Sequence, residues 1–278
     1  LSQGVRPDGR ALLRGRKALV NARAATSADG SAMVRLGHTL VLAGVQADPV
    51  VPEESEGRRG CIVVSLEIAA TSSIAAQFAS RGGAATSRLD REQAAILELL
   101  QRTASGTLVN LDALCIEQGR AVWCCRCDLY VLEHDGNVLD AAMLAMLCAL
   151  QDVRLPVAKL EDAGGGVRLV EEQEHAIPLV LSRPLYSTSF CVISGHLVLD
   201  PTADEESLST TTFTLLLDGA GSFASMHKPG GTPLDEKTTA VALEAARTRV
   251  IALTAVARSC ASRAMASIEA RDETICSL

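Results

Sequence analysis

Residues 119–150 read GRAVWCCRCDLYVLEHDGNVLDAAMLAMLCAL, and the period of the pattern changes in the middle. In the first half Val122, Cys124, Arg126, Asp128 and Tyr130 alternate with Trp123, Cys125, Cys127, Leu129 and Val131, which is the two-residue repeat of a β-strand. Asp135-Gly136 closes that strand with a tight turn. From Val138 to Leu150 the chain is thirteen almost continuously apolar residues. That is short of the roughly 20 residues a bilayer span requires, so it predicts a helix buried on all sides against a sheet. Its Met and Ala residues are core packing, not a cofactor box.

Working toward the N-terminus, Lys17 to Ala47 predicts a three-strand meander, with turn signals at Asp29-Gly30 and Gly37-His38. Pro49 to Gly60 is polar and reads as a loop, and Cys61 to Ile68 as a further strand. From about Leu89 a helical period takes over. Leu89, Gln93, Ile96, Leu100 and Thr103 share one face, with Thr86 or Ser87 as N-cap and Gly106 past the end. Toward the C-terminus, Val153 to Gly166 carries Pro156 and three glycines and is the candidate interdomain connection. The second half repeats the grammar of the first. Strands are expected at Ser187–Ile193, Leu197–Asp200, Thr211–Asp218 and Ser222–His227. A long helix follows from about Leu234, with Thr232 as N-cap, Pro233 at the first helical position, and a stripe of Leu243, Ala246, Val250, Leu253, Ala257 and Cys260. Strands followed by a helix, twice, make the fold class α+β: two layers of mainly antiparallel sheet packed with helices.

The 278 residues are 48% apolar and 21% charged, a soluble globular composition long for one domain and comfortable for two. The chain opens on Leu1-Ser2-Gln3 without Met, as a fragment or processed form does, and no basic-then-apolar signal segment stands at its start. The net charge of −7 argues against a wholly basic nucleic-acid-binding surface. The charge is uneven, however. Arg6, Arg10, Arg14, Arg16, Lys17 and Arg23 face a single anion, Asp8, within the first 23 residues, so this arm carries +5 and the remainder −12. Such an arm faces RNA, faces a partner's acidic surface, or is solvated. Nine cysteines include one cluster, Cys124, Cys125 and Cys127, and no second pair at zinc-finger spacing. They read as reduced, buried thiols of a reducing compartment.

The search for chemistry is mostly negative. G-x-S-x-G, H-E-x-x-H and G-x-x-x-x-G-K-[ST] are all absent, and no metal or cofactor is predicted. Arg81-Gly82-Gly83 with Arg88 and Arg91 is a loop able to hold a phosphodiester chain, or else a solvated surface loop. Asp200 to Glu206 packs four carboxylates into seven residues. It is either a Mg²⁺ or acid–base site or an acidic turn between strands.

Several segments taken together resemble the RNase PH family. The opening is carried by Arg6-Pro7-Asp8-Gly9-Arg10, Ala28-Asp29-Gly30-Ser31-Ala32 and Leu36-Gly37-His38-Thr39. Leu114-Cys115-Ile116-Glu117-Gln118-Gly119, Val122-Trp123, Cys127-Asp128-Leu129 and Asp135 to Ala141 resemble the ring subunits of the RNA exosome. Leu199-Asp200-Pro201-Thr202 with Glu205-Glu206, and His227 to Gly231, extend the match into the second half. It covers nearly the whole chain in order and is weakest at Pro49–Arg91 and Asp162–Leu185.

The resemblance implies an RNase PH fold of two βαβ-type layers, with domains at 14–156 and 182–260, in a six-membered ring around an RNA channel. Active members carry Asp-Gly-Gly-Thr-Arg, or a Gly-Ser-Arg variant, where this chain reads Asp135-Gly136-Asn137-Val138-Leu139. Asn137, Val138 and Leu139 are therefore degenerate phosphate-site positions, with Leu139 standing in place of the phosphate-binding Arg. Active members also carry closely spaced aspartates where this chain has Thr210 and Thr212. A threonine hydroxyl is neither a good ligand for a divalent ion nor a general acid near pH 7. The resemblance thus implies a catalytically inert ring subunit, needed for assembly and for threading RNA in 3′→5′ processing and decay, including that of rRNA. RNA would be contacted at Arg81, Arg88 and Arg91. The implied partners are the other RNase PH-like subunits, cap subunits with RNA-binding domains, associated exoribonucleases and single-stranded RNA, with no membrane, in the nucleus, nucleolus and cytoplasm. The alternative is a phosphate-dependent 3′→5′ exoribonuclease with a non-standard or composite interface site.

Overall fold

The meander forms as expected: β1 (Ala18–Ala22), β2 (Gly30–Leu36) and β3 (Thr39–Val50) pair antiparallel in that order. The computed structural model describes residues 6–52, 57–68, 83–160, 167–170 and 177–275; the side chains of 83–90, 159–160, 167–170 and 263–275 are outside the description. Strand β3 continues through Pro49 to Val50, beyond the loop boundary expected at Pro49. Its partner along this stretch is β6 (Ala121–Glu133), with Pro49 opposite Trp123. On the far side of β6 lie β4 (Cys61–Ile68), parallel to it, and the short β5 (Cys115–Glu117). The sheet order is β1-β2-β3-β6-β4, with β5 beside β6.

A parallel pair needs a crossover, and α1 (Gly83–Thr103) lies in it. The helix begins at Gly83, so Thr86 and Ser87 lie inside it and are not its caps. Gln93, Ile96, Leu100 and Thr103 turn to the sheet as the periodicity predicted, and the two glutamines on α1 do more than pack. Gln101 accepts the Val64 N–H at 2.7 Å and donates to the Ile62 carbonyl at 2.8 Å, and Gln93 donates to the Leu66 carbonyl at 2.6 Å. These side chains satisfy backbone groups on the open edge of β4 that would otherwise invite another strand.

The quoted stretch behaves as read. In β6 the odd-numbered residues from Trp123 to Val131 are buried, and their neighbours are exposed or partly so from Cys124 on. Helix α2 (Val138–Asp152) buries every residue except Asp140 and Gln151, which are partly exposed. It packs on β1, β2, β3 and β6 of the first sheet and on the strand Leu185–Ile193 of the second. Gly30 permits its close approach, because a Cβ there would sit 2.6 Å from both the Ala149 carbonyl and the Val153 amide.

The expected interdomain connection, Val153 to Gly166, contains two strands: β7 (Arg154–Leu155) and β8 (Val157–Leu160), which pair with β10 (Ile177–Pro178) and β9 (Val167–Val170) beyond it. The second sheet is wholly antiparallel, β12-β11-β13-β14, from β11 (Leu185–Ile193), β12 (His196–Leu199), β13 (Thr211–Asp218) and β14 (Phe223–His227). The rings of Phe190 and Phe213 stack in it at 5.2 Å between centroids. Helix α4 (Glu236–Ile275) covers β11, β13 and β1 with Ala242, Ala246, Val250, Leu253, Ala257 and Cys260. Asp235, not Thr232, caps it, accepting the Thr238 N–H at 3.2 Å. Thr232 instead meets the Thr211 hydroxyl at 2.7 Å.

Candidate functional site

The chain turns into α2 through two consecutive left-handed residues, Gly136 at φ +74° and Asn137 at φ +55°. Asn tolerates this region better than most side chains. At Gly136 no other residue fits, since a Cβ would lie 2.4 Å from the Thr202 carbonyl carbon and 2.5 Å from the Ala203 amide nitrogen. The 200–206 segment of the second half is thus pressed onto the head of α2. It is the acidic connection between two strands that its composition allowed, with a short helix within it. Thr202 and Glu205 form a capping box that starts a short helix, α3 (Ala203–Leu208).

A helix N-terminus presents free N–H groups and a positive dipole end, and so attracts anions. Here the protein's own carboxyls gather around Asn137, the residue that opens the helix. Glu206 accepts the Asn137 backbone N–H at 2.7 Å. The Asn137 side-chain amide donates to Asp200 at 2.6 Å and to Asp140 at 2.8 Å. Asp140 in turn accepts the Ser189 amide and hydroxyl at 2.9 and 2.8 Å.

The basic arm supplies the counter-charge. Arg16 holds Asp200 through its amide at 2.6 Å and its guanidinium at 2.7 and 3.0 Å, and also donates to the carbonyls of Asp135, Gly136 and Pro201. Arg10 reaches Asp200 at 3.2 Å. Arg6 pairs with Glu205 and donates to the Leu199 and Asp200 carbonyls at 2.7 and 2.9 Å. Arg6 and Arg16 are buried, so these arginines do not lie free for RNA, a partner or solvent; they clasp the two halves of their own chain.

Burial opposes charge on Asp200, but the Arg16 hydrogen bonds and charge win and hold its carboxyl below the usual range. For Glu206, six residues on, burial wins: with the like charges of Glu92 and Asp200 added, its carboxyl is pushed up to about 8. Burial also raises Asp140 and lowers His134 to about 4, so His134 is a neutral acceptor for the Gly136 N–H at 3.1 Å.

Of the residues singled out by sequence, Asn137, Val138 and Leu139 stand together at this site, with Leu139 buried in the core. Thr210 and Thr212 lie apart from it. The Thr210 hydroxyl donates to the Val192 carbonyl at 3.1 Å, and Thr212 sits opposite Cys191. Among the described residues no hydrogen bond joins either threonine to the head of α2. Arg81 lies outside the described residues, Arg88 is described only as backbone within α1, and Arg91 is exposed on that helix. Arg16 and Glu206 were missed as site residues, being read only as parts of a charged arm and an acidic segment. For Glu206 the available signal was the Thr-x-x-Glu capping pattern at Thr202, which starts a helix within that segment.

Cysteines Cys125, Cys127, Cys148, Cys191 and Cys260 are buried thiols, as expected, whereas Cys61, Cys115 and Cys124 are partly exposed. Among the described residues no three His, Cys, Asp or Glu side chains gather as metal ligands.

Fold and sequence agree with a defined class. Residues 14–156 match domain 1 and residues 184–249 domain 2 of the 3′ exoribonuclease family, the RNase PH type, and the chain belongs to that family. It is 31% identical to the exosome complex component rrp43 of Schizosaccharomyces pombe, over 90% of this chain and 89% of that relative. It is 29% identical to the exosome complex component Rrp42 of Methanothermobacter thermautotrophicus, over 86% of each. Among solved structures it is similar to a chain of the Archaeoglobus fulgidus exosome with RNA bound to the active site. The TM-score there is 0.74 and the identity 28%, over 90% of this chain and 91% of the other. A chain of an archaeal exosome core gives 0.72 and 26%, over 95% and 92%.

Proposed function

We propose that this chain is a non-catalytic ring subunit of an RNA exosome core, contributing to assembly and to the RNA path. One observation carries the non-catalytic part: Asn137, at the head of α2 where an anionic substrate would be received, is surrounded by carboxyls, Glu206 on its N–H and Asp140 and Asp200 on its amide. A phosphate would have to displace carboxyls held by nine hydrogen bonds, without a guanidinium at Leu139 to receive it. Thr210 and Thr212 add no acid–base group. The test is incubation of the single chain, and separately of the ring assembled with other RNase PH-like chains, with RNA and inorganic phosphate. The single chain is expected to release no nucleoside diphosphate; release would overturn the reading.

RNA contacts fall to Arg81, Arg88 and Arg91 in this proposal, and the partners are the other ring subunits, cap subunits and associated exoribonucleases, in nucleus, nucleolus and cytoplasm. Replacing the three arginines by Ala in the assembled ring should weaken RNA binding similarly across sequences. It should also flatten the salt dependence by a slope of roughly 0.7 per lost phosphate contact. Unchanged affinity and slope would return them to ordinary surface charge. A second reading, one side of a composite phosphorolytic site, has in its favour the likeness to the Archaeoglobus chain from an assembly with RNA at its active site. Phosphorolysis by the ring that is lost on substituting Asn137 or Asp200 here, with assembly intact, would establish it.

A further inference from the structure

The outer face of the first sheet carries a cross-strand ladder in which β4 and β6 pair residue for residue. Cys61 stands opposite Cys124, Val63 opposite Arg126, Ser65 opposite Asp128 and Glu67 opposite Tyr130. All these residues are exposed or partly exposed, while Ile62, Val64 and Leu66 are buried on the other face. The ladder contains its own gauge. Two rungs from the cysteines, the Ser65 hydroxyl donates directly to the Asp128 carboxylate at 2.6 Å, so opposed side chains on this face are in contact. Directly opposed residues of neighbouring strands have backbones about 4.8 Å apart, inside the Cα separation of roughly 4.4–6.8 Å that a disulfide spans.

We propose that Cys61 and Cys124 form an oxidisable dithiol, which a low-molecular-weight disulfide such as glutathione disulfide converts to a bridge between β4 and β6. The balance is that of thiol–disulfide exchange. The Cys124 thiolate attacks one sulfur of glutathione disulfide, forming a mixed disulfide and releasing one glutathione thiolate. Cys61 gives its proton to solvent, attacks the Cys124 sulfur and expels the second glutathione. Two protein thiols are oxidised and one small disulfide is reduced.

The surroundings set the rate. Burial first, and then the adjoining Cys124 and Cys125 thiols, push Cys61 up to about 12. Asp48, opposite Cys124 on β3, holds Arg126 at 2.7 Å, so that cation is engaged by a carboxylate. Exchange is therefore slow at neutral pH and accelerates as pH rises.

The reduced full-length chain is to be incubated with glutathione disulfide at pH 7 and at pH 9, unfolded, alkylated and mapped by mass spectrometry. Of nine cysteines, seven should then alkylate, and one peptide pair joining residues 61 and 124 should appear two hydrogens lighter. The bridge should form faster at pH 9 and vanish with a dithiol reductant. Cys61→Ser and Cys124→Ser should each abolish it. Nine alkylated thiols, a mixed disulfide that never resolves, or a bridge to Cys115 or Cys125 would overturn the proposal. If the serine variants fail to fold, the mapping of the unaltered chain decides by itself.

Discussion

Two arginine–carboxylate pairs in this molecule have the same length and opposite meaning. Arg16 meets Asp200 at 2.7 Å in the seam between the two halves, with side chains 8% and 1% exposed. Arg126 meets Asp48 at 2.7 Å on the outer sheet face, with side chains 54% and 53% exposed. Distance does not separate them; water does. At the surface both ions keep most of their hydration when parted, so the pair adds little. In the seam neither recovers it, and the surrounding backbone carbonyls accept from Arg16 while the Asn137 amide donates to Asp200. The seam also shows the limit of compensation: Asp200 faces a guanidinium and stays charged, whereas Glu206, receiving only a backbone N–H and facing Glu92 across the gap, does not.

The sharpest way to break this contrast is Arg16→Met, which leaves Asp200 buried without its fork. It should cost about 3–5 kcal/mol, read as a lower urea midpoint at unchanged slope. Arg16→Lys should recover only part, because an ammonium cannot replace the bidentate contact. A loss below about 1 kcal/mol would mean that the arm is not a clasp.

Next in size is Glu206→Gln, which keeps the acceptor for the Asn137 N–H and removes the titration. The folded carboxyl, at about 8, retains a proton that the unfolded chain, at about 4.5, has released. Stability from this group therefore falls as pH rises between those values. Above the ordinary 6.5 of His134 that residue no longer contributes a slope of its own. There the variant should flatten the decline and be more stable than the parent at pH 8 by about 1–2 kcal/mol, discounted for the partial exposure of Glu206. Parallel stability–pH curves from urea melts would refute this.

The smallest effect belongs to the surface pair. Arg126→Ala should change stability by less than about 0.5 kcal/mol and lose even that in high salt. A loss comparable to that of Arg16→Met would erase the distinction between the two regions.

Much of the frame was legible because it rests on local periodicity. The switch from a two-residue to a helical pattern at Asp135-Gly136 yielded β6 and α2, and the apolar run from Val138 to Leu150 stated its own burial. The α4 stripe and the N-terminal meander followed from the same arithmetic. Two of the misreadings trace to partners away in sequence: β3 runs through Pro49 because Trp123 stands opposite it, and Thr232 leaves the cap of α4 to Asp235 because it meets Thr211.

The arm and the acidic segment show this most clearly. Composition alone established +5 in the first 23 residues and four carboxylates between Asp200 and Glu206. It also showed that Leu139 is not an arginine and that Thr210 and Thr212 are not acids. Only the tertiary structure decided that Arg6, Arg10 and Arg16 of the arm meet Glu205 and Asp200 some 190 residues away, and that carboxyls of the chain itself surround Asn137 at the head of α2. Side-chain type is written in the chain, but the free energy of a charge depends on what replaces its water. That is set by whichever distant groups the fold brings beside it.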